Sequence, residues 1–402
     1  MTYFNHKEIK LEEAIEAYLC SPEGGFIKGS DKNFDARLAL DTQTLLSFVK
    51  STQPKAWERY QVIYGSDCER RFIKRFCEEV EADGLIQVLR HGIKDRGVNF
   101  MVAYFAPETS INPDLAARYK GNILHCVRQF HYSPSDTQNT IDIVLLLNGI
   151  PIAALELKDE FSGQNVDDAI FQYKKDRDPR DPIFAFNQRL LVYFALDLAQ
   201  VFMTTQLAGA ATYFLPFNQG SNGAGEVGGK GNPPNPDNFM TAYLWENVLR
   251  KDRLMEILQK YIHLDVKKDG RKSIIFPRYH QLDVVTKLLA DVKANGTGKN
   301  YLIQHSAGSG KSNSIAWLAH RLSGLHDAND KKIFNSVIVV TDRKVLDSQL
   351  QDTVYQFDHV RGVVKKIEKN SKELLQAIND RIPIIITTLQ KFPVIFEQIK
   401  AG

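Results

Sequence analysis

The residues with the clearest chemical purpose lie in one stretch, Thr140-Ile-Asp-Ile-Val-Leu-Leu-Leu-Asn-Gly-Ile-Pro-Ile-Ala-Ala-Leu-Glu-Leu-Lys158. Two apolar runs flank Asn148-Gly149, a strong short-range signal for a β-hairpin. Asp142, Glu156 and Lys158 alone bring charge into those runs. A carboxylate buried without compensation is costly, so something must answer each acid. Mg2+ suits the pair, because it prefers oxygen ligands and keeps several waters of its own. Held there, it would polarise a phosphodiester and lower the pKa of a water that attacks phosphorus. Lys158 would orient that water or stabilise the charge developing on phosphate. The competing reading is a structural ion pair of Lys158 with either acid at a solvated sheet edge.

Hairpin register decides whether the three groups meet. Glu156 and Lys158 are two apart and share a face. A two-residue turn pairs Leu147 with Ile150 and Asp142 with Leu155, which leaves Glu156 on the other face. A three-residue turn, Asn148 to Ile150, sets Asp142 opposite Glu156, and one bulge does the same, since a one-residue slip exchanges faces. Of the two turns, the chemistry requires the longer.

A second site is written in His305-Ser-Ala-Gly-Ser-Gly-Lys-Ser312. An apolar run, Asn300 to Gln304, precedes it and an amphipathic helix pattern follows, the strand–loop–helix context of a phosphate loop. Gly308, Ser309 and Gly310 let backbone N–H groups approach phosphates at a helix N-terminus. Lys311 would bind β- and γ-phosphate oxygens of ATP, and Ser312 would ligate its Mg2+. His305 stands where Gly or Ala is usual. The lookalikes Gly228-Gly-Lys-Gly231 and Gly296-Thr-Gly-Lys-Asn300 lack a preceding strand and read as turns. No Asp-Glu pair follows the loop as far as Gly402, so ATP binding without useful hydrolysis is the expectation.

The elements that must position these groups fall into two patterns. Helical spacing covers Glu8 to Leu19, Thr42 to Val49 and Glu69 to about Gln87, and strand-like runs cover Gly97 to Ala106, Ile141 to Leu147, Pro151 to Leu157 and Leu190 to Asp197. Residues 218–238 are rich in Gly, Pro and Asn and read as an exposed mobile loop, followed by a helix-like block over Phe239 to Leu264. From Ile274 onward helices (Gln281 to Ala294, Lys311 to Leu322) alternate with strands (Asn300 to Gln304, Ser336 to Thr341, Ile382 to Thr388), as in a parallel sheet covered by helices. The expected division is 1–262, a linker 263–273, and 274–402.

The totals agree with a two-domain protein: 402 residues, 43% hydrophobic and 25% charged, with a formal net charge of +3. A basic groove for DNA is permitted but not demanded by that balance. Four scattered cysteines without a C-x-x-C pair argue against a disulfide framework or structural zinc. No signal-like start and no run of about 18 apolar residues point to a cytoplasmic protein without membrane contact.

The order D-x(n)-E-x-K, phosphate loop, Asp342-Arg343-x-x-Leu-x-x-Gln349 and Thr387-Thr-Leu-Gln-Lys-Phe392 resembles the R subunits of type I restriction enzymes. The first part is similar to the PD-(D/E)xK nucleases, and the later motifs resemble superfamily 2 motors. The resemblance implies a restriction-endonuclease-like mixed-sheet nuclease domain followed by a partial RecA-like parallel-sheet domain that stops before the Walker B acids. It implies Asp142, Glu156 and Lys158 as the nuclease centre and Glu12, on the first helix, as an upstream metal ligand. Gln172 resembles the glutamine of a Q-x-x-x-Y element that contacts DNA, although Asp176 stands at the tyrosine position. Lys174, Lys175, Arg177 and Arg180 are candidates for phosphate contacts. Arg278 and Gln281 in Phe276-Pro-Arg-Tyr-His-Gln281 resemble an adenine-recognition element. By the same resemblance, the full protein cuts and translocates double-stranded DNA using ATP, alongside methyltransferase and specificity subunits. Two other readings remain: a nuclease–helicase of DNA repair, and a motor fragment whose first domain only docks.

Overall fold

Strands buried on both faces call for near-continuous apolar runs, and the central strands here are apolar apart from Thr140, Asp142 and Glu156. The computed structural model describes residues 8–393 without 110, 160–162, 268, 342–349, 351–352, 355–362 and 368–370. The chain divides into two compact units, Met1–Pro107 with Asn112–Phe276, and Glu108–Ile111 with Pro277–Gly402.

The first unit is built on a seven-stranded mixed sheet of β1 (Ile27–Lys28), β6 (Leu124–His131), β7 (Thr140–Leu147), β8 (Ile150–Leu157), β9 (Val192–Leu196), β10 (Val201–Thr204) and β11 (Leu215–Pro216), in that order. The β6–β7 and β7–β8 pairs are antiparallel, whereas β1–β6 and β8–β9 are parallel. Helix α7 (Val166–Lys175) lies between β8 and β9 in the chain. It starts at a capping box in which Asn165 and Asp168 satisfy each other's backbone N–H groups. Its Val166, Ala169 and Tyr173 pack with Val144, Leu146, Ala154, Tyr193 and Ala195 into one core.

Helix α1 (Glu8–Leu19) buries Leu11, Ile15 and Leu19, a spacing of four that makes one apolar stripe. Helix α2 (Thr42–Thr52) is capped by Asp41, whose carboxylate accepts from Thr44 N at 3.0 Å. α3 (Pro54–Tyr64), α4 (Cys68–Asp83), α5 (Leu85–His91), α6 (Pro113–Lys120) and α8 (Lys251–Lys260) complete the helices of this unit. Two small ribbons, β2 (Phe34–Asp35) with β3 (Leu40–Asp41) and β4 (Ile93–Asp95) with β5 (Val98–Phe100), join them. Three expectations change here. The helix read over Glu69–Gln87 is split at Gly84 into α4 and α5. The strand read over Gly97–Ala106 is only β5, and the helix read over Phe239–Leu264 is one π-turn, Leu244–Val248, followed by α8.

Residues 263–273 were expected to be a linker and are instead most of a hairpin. β12 (His263–Val266) pairs with β13 (Lys272–Ile275) from His263↔Ile275 to Val266↔Lys272. The reason is burial: Ile262, His263, Ile274 and Phe276 are all inside, so the polar run is only the turn between them. Residues 218–238 have no regular structure, as their composition implies. Their neck is nevertheless tied by Gly220 N donating to Gly231 O at 2.8 Å and by Asn232 Nδ2 donating to Ala199 O at 2.8 Å.

The second unit holds a parallel three-stranded sheet, with β16 (Ile384–Thr388) between β14 (Val337–Thr341) and β15 (Val364–Lys366). Helices α9 (Tyr279–Asn295), α10 (Lys311–Ser323) and α11 (Ser371–Asn379) accompany it. It is a partial RecA-like arrangement. The strand expected over Asn300–Gln304 does not form. A strand exists only through a neighbour's backbone, and these residues pair with no strand among the described residues; Leu302 is 94% exposed. Among the described residues no helix is long and apolar enough to cross a membrane.

Candidate functional site

The turn between β7 and β8 is the short one. Leu147 pairs with Ile150, and Asn148 and Gly149 both take positive φ, 52° and 82°. That is a type I′ turn, whose twist matches the strands. The three-residue turn expected from the chemistry is therefore corrected. What rescues the register is a bulge: Leu146 faces Pro151 while Leu145 faces Ala153, so Ile152 is an extra residue in β8. Beyond it Ile143 pairs with Leu155, and the next step sets Asp142 opposite Glu156. Asp142 shares the parity of Val144 and Leu146, and Glu156 that of Ala154, so both acids belong to the face packed by α7.

Packing chose the short turn. Asn148 is fully buried; its Nδ2 donates to Val102 O at 2.8 Å and its Oδ1 accepts from Ile123 N at 2.7 Å. Gly149 O accepts from Asp41 N at 2.9 Å, and a Cβ on Gly149 would lie 2.3 Å from Asp41 O. The turn is thus anchored on the cap of α2.

Asp142 Oδ2 accepts from Leu157 N at 2.7 Å, a backbone bond that orients its carboxylate. Glu156 is completely buried, and its Oε1 takes two donors from Arg177: Nε at 2.8 Å and Nη2 at 2.6 Å. Its Oε2 is buried and finds no hydrogen-bond partner among the described residues. Burial pushes the Glu156 carboxyl well above the usual carboxylate range, and the Asp142 charge pushes the same way. Arg177 and Lys158 oppose them. Lys158 is itself nearly buried, two residues beyond Glu156.

Arg177 does not reach for phosphate, as the basic run suggested. It is 4% exposed at its side chain, donates to Thr140 O at 2.6 Å as well as to Glu156, and stacks its guanidinium 5.4 Å from the Tyr132 ring centre. Arg180, by contrast, is exposed and paired with Asp178. Gln172 is half-buried on α7, and among the described residues its side chain bonds to none of the three charged groups. Tyr173, the tyrosine beside it, faces the core and donates to Phe194 O at 3.3 Å.

Glu12 is buried near this pair. Its Oε2 accepts from Arg128 Nε at 2.9 Å and its Oε1 from Gln129 Nε2 at 2.7 Å. Burial raises the Glu12 carboxyl pKa, the Arg128 hydrogen bond lowers it, and the Asp142 charge adds to the rise. Gln129 Nε2 also lies 3.3 Å from Asp142 Oδ1. Sequence reasoning missed Arg128 and Gln129; the signal was two adjacent polar residues inside the strand Leu-His-Cys-Val-Arg-Gln-Phe-His, which carried no assignment. Among the described residues no three His, Cys, Asp or Glu side chains form a ready-made metal cage. Asp142 and Glu156 suit a divalent cation as an opposed oxygen pair, with Glu156 Oε2 an acceptor still unmet.

The phosphate loop of the second unit lies over the start of α10. Gly308 and Gly310 have φ of 72° and 80°, and Lys311 Nζ donates to Ser306 O at 2.9 Å and His305 O at 3.3 Å. Gln281 Nε2 donates to Ser309 O at 3.2 Å and Gly310 O at 2.9 Å, while its Oε1 accepts from Arg278 N. A Cβ on Gly310 would lie 2.5 Å from that amide nitrogen, so glycine is what lets Gln281 reach the loop. Ser312 is half-buried in the first turn of α10. The stretch Asp342–Gln349 lies outside the described residues, and Thr387–Lys391 forms the end of β16 and a single 3-10 turn.

A mixed-sheet unit with two acids and a lysine on one strand face is followed along the chain by a partial RecA-like unit with a glycine-rich loop at a helix start. Residues 55–212 match the family of the type I restriction enzyme R protein N terminus, and residues 280–401 match the SWI2/SNF2 ATPase family. A Methanocaldococcus jannaschii chain named for the endonuclease subunit of a type I restriction enzyme is 26% identical over 278 residues, covering 65% of this chain and 24% of its own. Endonuclease subunits of type I restriction enzymes from Staphylococcus aureus and Staphylococcus saprophyticus are each 25% identical, over 252 and 261 residues, with 62% of this chain and 24% of their own covered. The two family matches and these relatives together make the chain similar to the amino-terminal region of the R subunits of type I restriction enzymes. It spans about a quarter of the length of the curated relatives it matches.

Proposed function

We propose that the first unit is a Mg2+-dependent DNA endonuclease and that the second binds ATP with Mg2+. The observation that carries the nuclease reading is the meeting of Asp142 and Glu156 across a bulged hairpin, with Lys158 beside them and Glu156 Oε2 unmet. Held by those two carboxylates, a divalent cation supplies the Lewis acidity that activates water and polarises a phosphodiester. Leu157 N fixes Asp142 and Arg177 fixes Glu156, so both carboxylates meet substrate already oriented. Lys158 places a positive charge where negative charge grows on the phosphate oxygens. Glu12 is a third acid of the same cluster, and Gln172 stands on the adjoining helix as a DNA contact.

In the full protein this centre serves a restriction subunit that works with methyltransferase and specificity subunits and pumps double-stranded DNA with ATP. The two family matches and the loop Gly308–Ser312 support that reading. The buried Arg177–Glu156 pair favours one rival, in which the acids only hold the fold together. Cleavage by the assembled enzyme decides between them. Asp142→Asn should abolish cleavage with the fold intact; a folded Asp142→Asn enzyme that still cuts normally overturns the nuclease reading.

A further inference from the structure

Adjacent residues of a β-strand point to opposite faces, yet Arg128 and Gln129 of β6 both grip the one carboxylate of Glu12. The backbone explains it. Gln129 has a φ of 48°, in the left-handed region that side chains other than Gly, Asn and Asp seldom enter. The register is not lost there, because Arg128↔Ile143 and Phe130↔Ile141 remain in phase on either side. The twist at Gln129 therefore serves its side chain, not a change of pairing. Strained residues of this kind persist where the surroundings hold them, and they cluster at functional sites.

The amide has one sensible orientation. Thr140 Oγ1 donates to Gln129 Oε1 at 3.1 Å, which leaves Nε2 to face Glu12 Oε1 at 2.7 Å and Asp142 Oδ1 at 3.3 Å. Turned over, it would set an acceptor against two carboxylates that are themselves only acceptors when ionised. An amide nitrogen has two hydrogens, one for each acid. It is also neutral. A lysine at this place would draw the two acids together by cancelling their charge, and so would compete with any cation. Glutamine draws them together and leaves the charge in place.

We propose that Gln129 is a positioning residue that tethers Glu12 to Asp142 and so presets the acidic side of the cation site. This rests on the nuclease reading above, since the cation is that of the Asp142–Glu156 centre. Outer partners of metal ligands commonly change affinity by about 10- to 100-fold when removed, and Gln129 contacts two of the acids at once.

The test uses this chain and Mn2+, with bound metal read from the loss of the free-ion paramagnetic signal and thermal midpoints measured alongside. Gln129→Met keeps length and removes both N–H donors, while Gln129→Gly also relaxes the backbone. Both should weaken Mn2+ binding about tenfold, and the glycine variant should keep or raise the thermal midpoint without metal. Unchanged Mn2+ affinity in the two variants, with binding lost in Asp142→Ala, overturns the role of Gln129 and leaves the cation site standing. Mn2+ binding that is absent from the parent chain, or untouched by Asp142→Ala, overturns the underlying reading instead.

Discussion

Removing Arg177 should expose how much the Glu156 carboxylate depends on it. In Arg177→Met the apolar stem remains, but the fully buried Glu156 loses both donors to Oε1, and Thr140 O loses its own. Taking one partner from a buried ion pair costs about 3–5 kcal/mol. The acid can escape part of that cost by taking up a proton. Glu156 already has a folded-state pKa above its unfolded value. Stability from such a group is complete below the unfolded pKa and is lost as pH rises through the folded one. Without Arg177 the folded pKa rises further, so the variant goes on losing stability at pH values where the parent has stopped. The extra deficit opens above the parent's raised pKa, at about 1.4 kcal/mol per pH unit, and closes below it. Hydrogen exchange of the β7 and β8 amides across a pH series carried through the parent's own Glu156 titration should show a deficit of roughly 1–2 kcal/mol below it, from lost hydrogen bonds alone, and the full cost above it. Replacing both partners, Arg177→Met with Glu156→Leu, should recover most of the loss, because two apolar groups need no counter-charge. A deficit that stays the same on both sides of that titration, or a double variant as weak as the single one, refutes the reasoning.

Two further expectations follow from the turn and the phosphate loop. Gly149→Ala puts a Cβ 2.3 Å from Asp41 O at a φ of 82°, so it should cost at least about 2 kcal/mol, read as lost amide protection in β7 and β8; protection equal to the parent's would mean the turn is not clamped on α2. Lys311→Ala should leave the helices intact, because among the described residues Lys311 Nζ bonds only loop carbonyls, yet weaken a fluorescent ATP analogue by at least about tenfold; unaltered binding by titration would remove the loop from nucleotide recognition.

The sequence showed the hairpin, the three charged positions and the helices that begin at Glu8 and Lys311, because alternation, turn chemistry and helical spacing are local signals. It could not show which correction would align the acids. Asn148-Gly149 marked the place of the turn, but the chemistry pointed to the wrong length for it, and the bulge at Ile152 arises from how β8 sits between two neighbours, a property of the assembled sheet. Arg177 looked like one more cation of a surface run; only the end of α7 determines that it turns inward to Glu156. Gln129 gave no periodic signal, because its left-handed backbone breaks the rule on which periodicity rests. The run Asn300–Gln304 had the composition of a strand but not the partner, and composition cannot supply one.

The extra residue at Ile152 makes the hairpin a device sensitive to odd and even numbers. Turn residues and bulges each add to one count, and only its parity determines whether acid and acid share a face. A single insertion or deletion within β7 or β8 between Asp142 and Glu156 would turn one acid away from the other, whereas two compensating changes would be silent. The gap between the two acids is therefore free to differ in length among related chains, so long as odd changes in one strand are matched by a bulge or are taken up in the turn. A search for such centres by fixed spacing would discard good sites and keep false ones, and one that counts bulges would not.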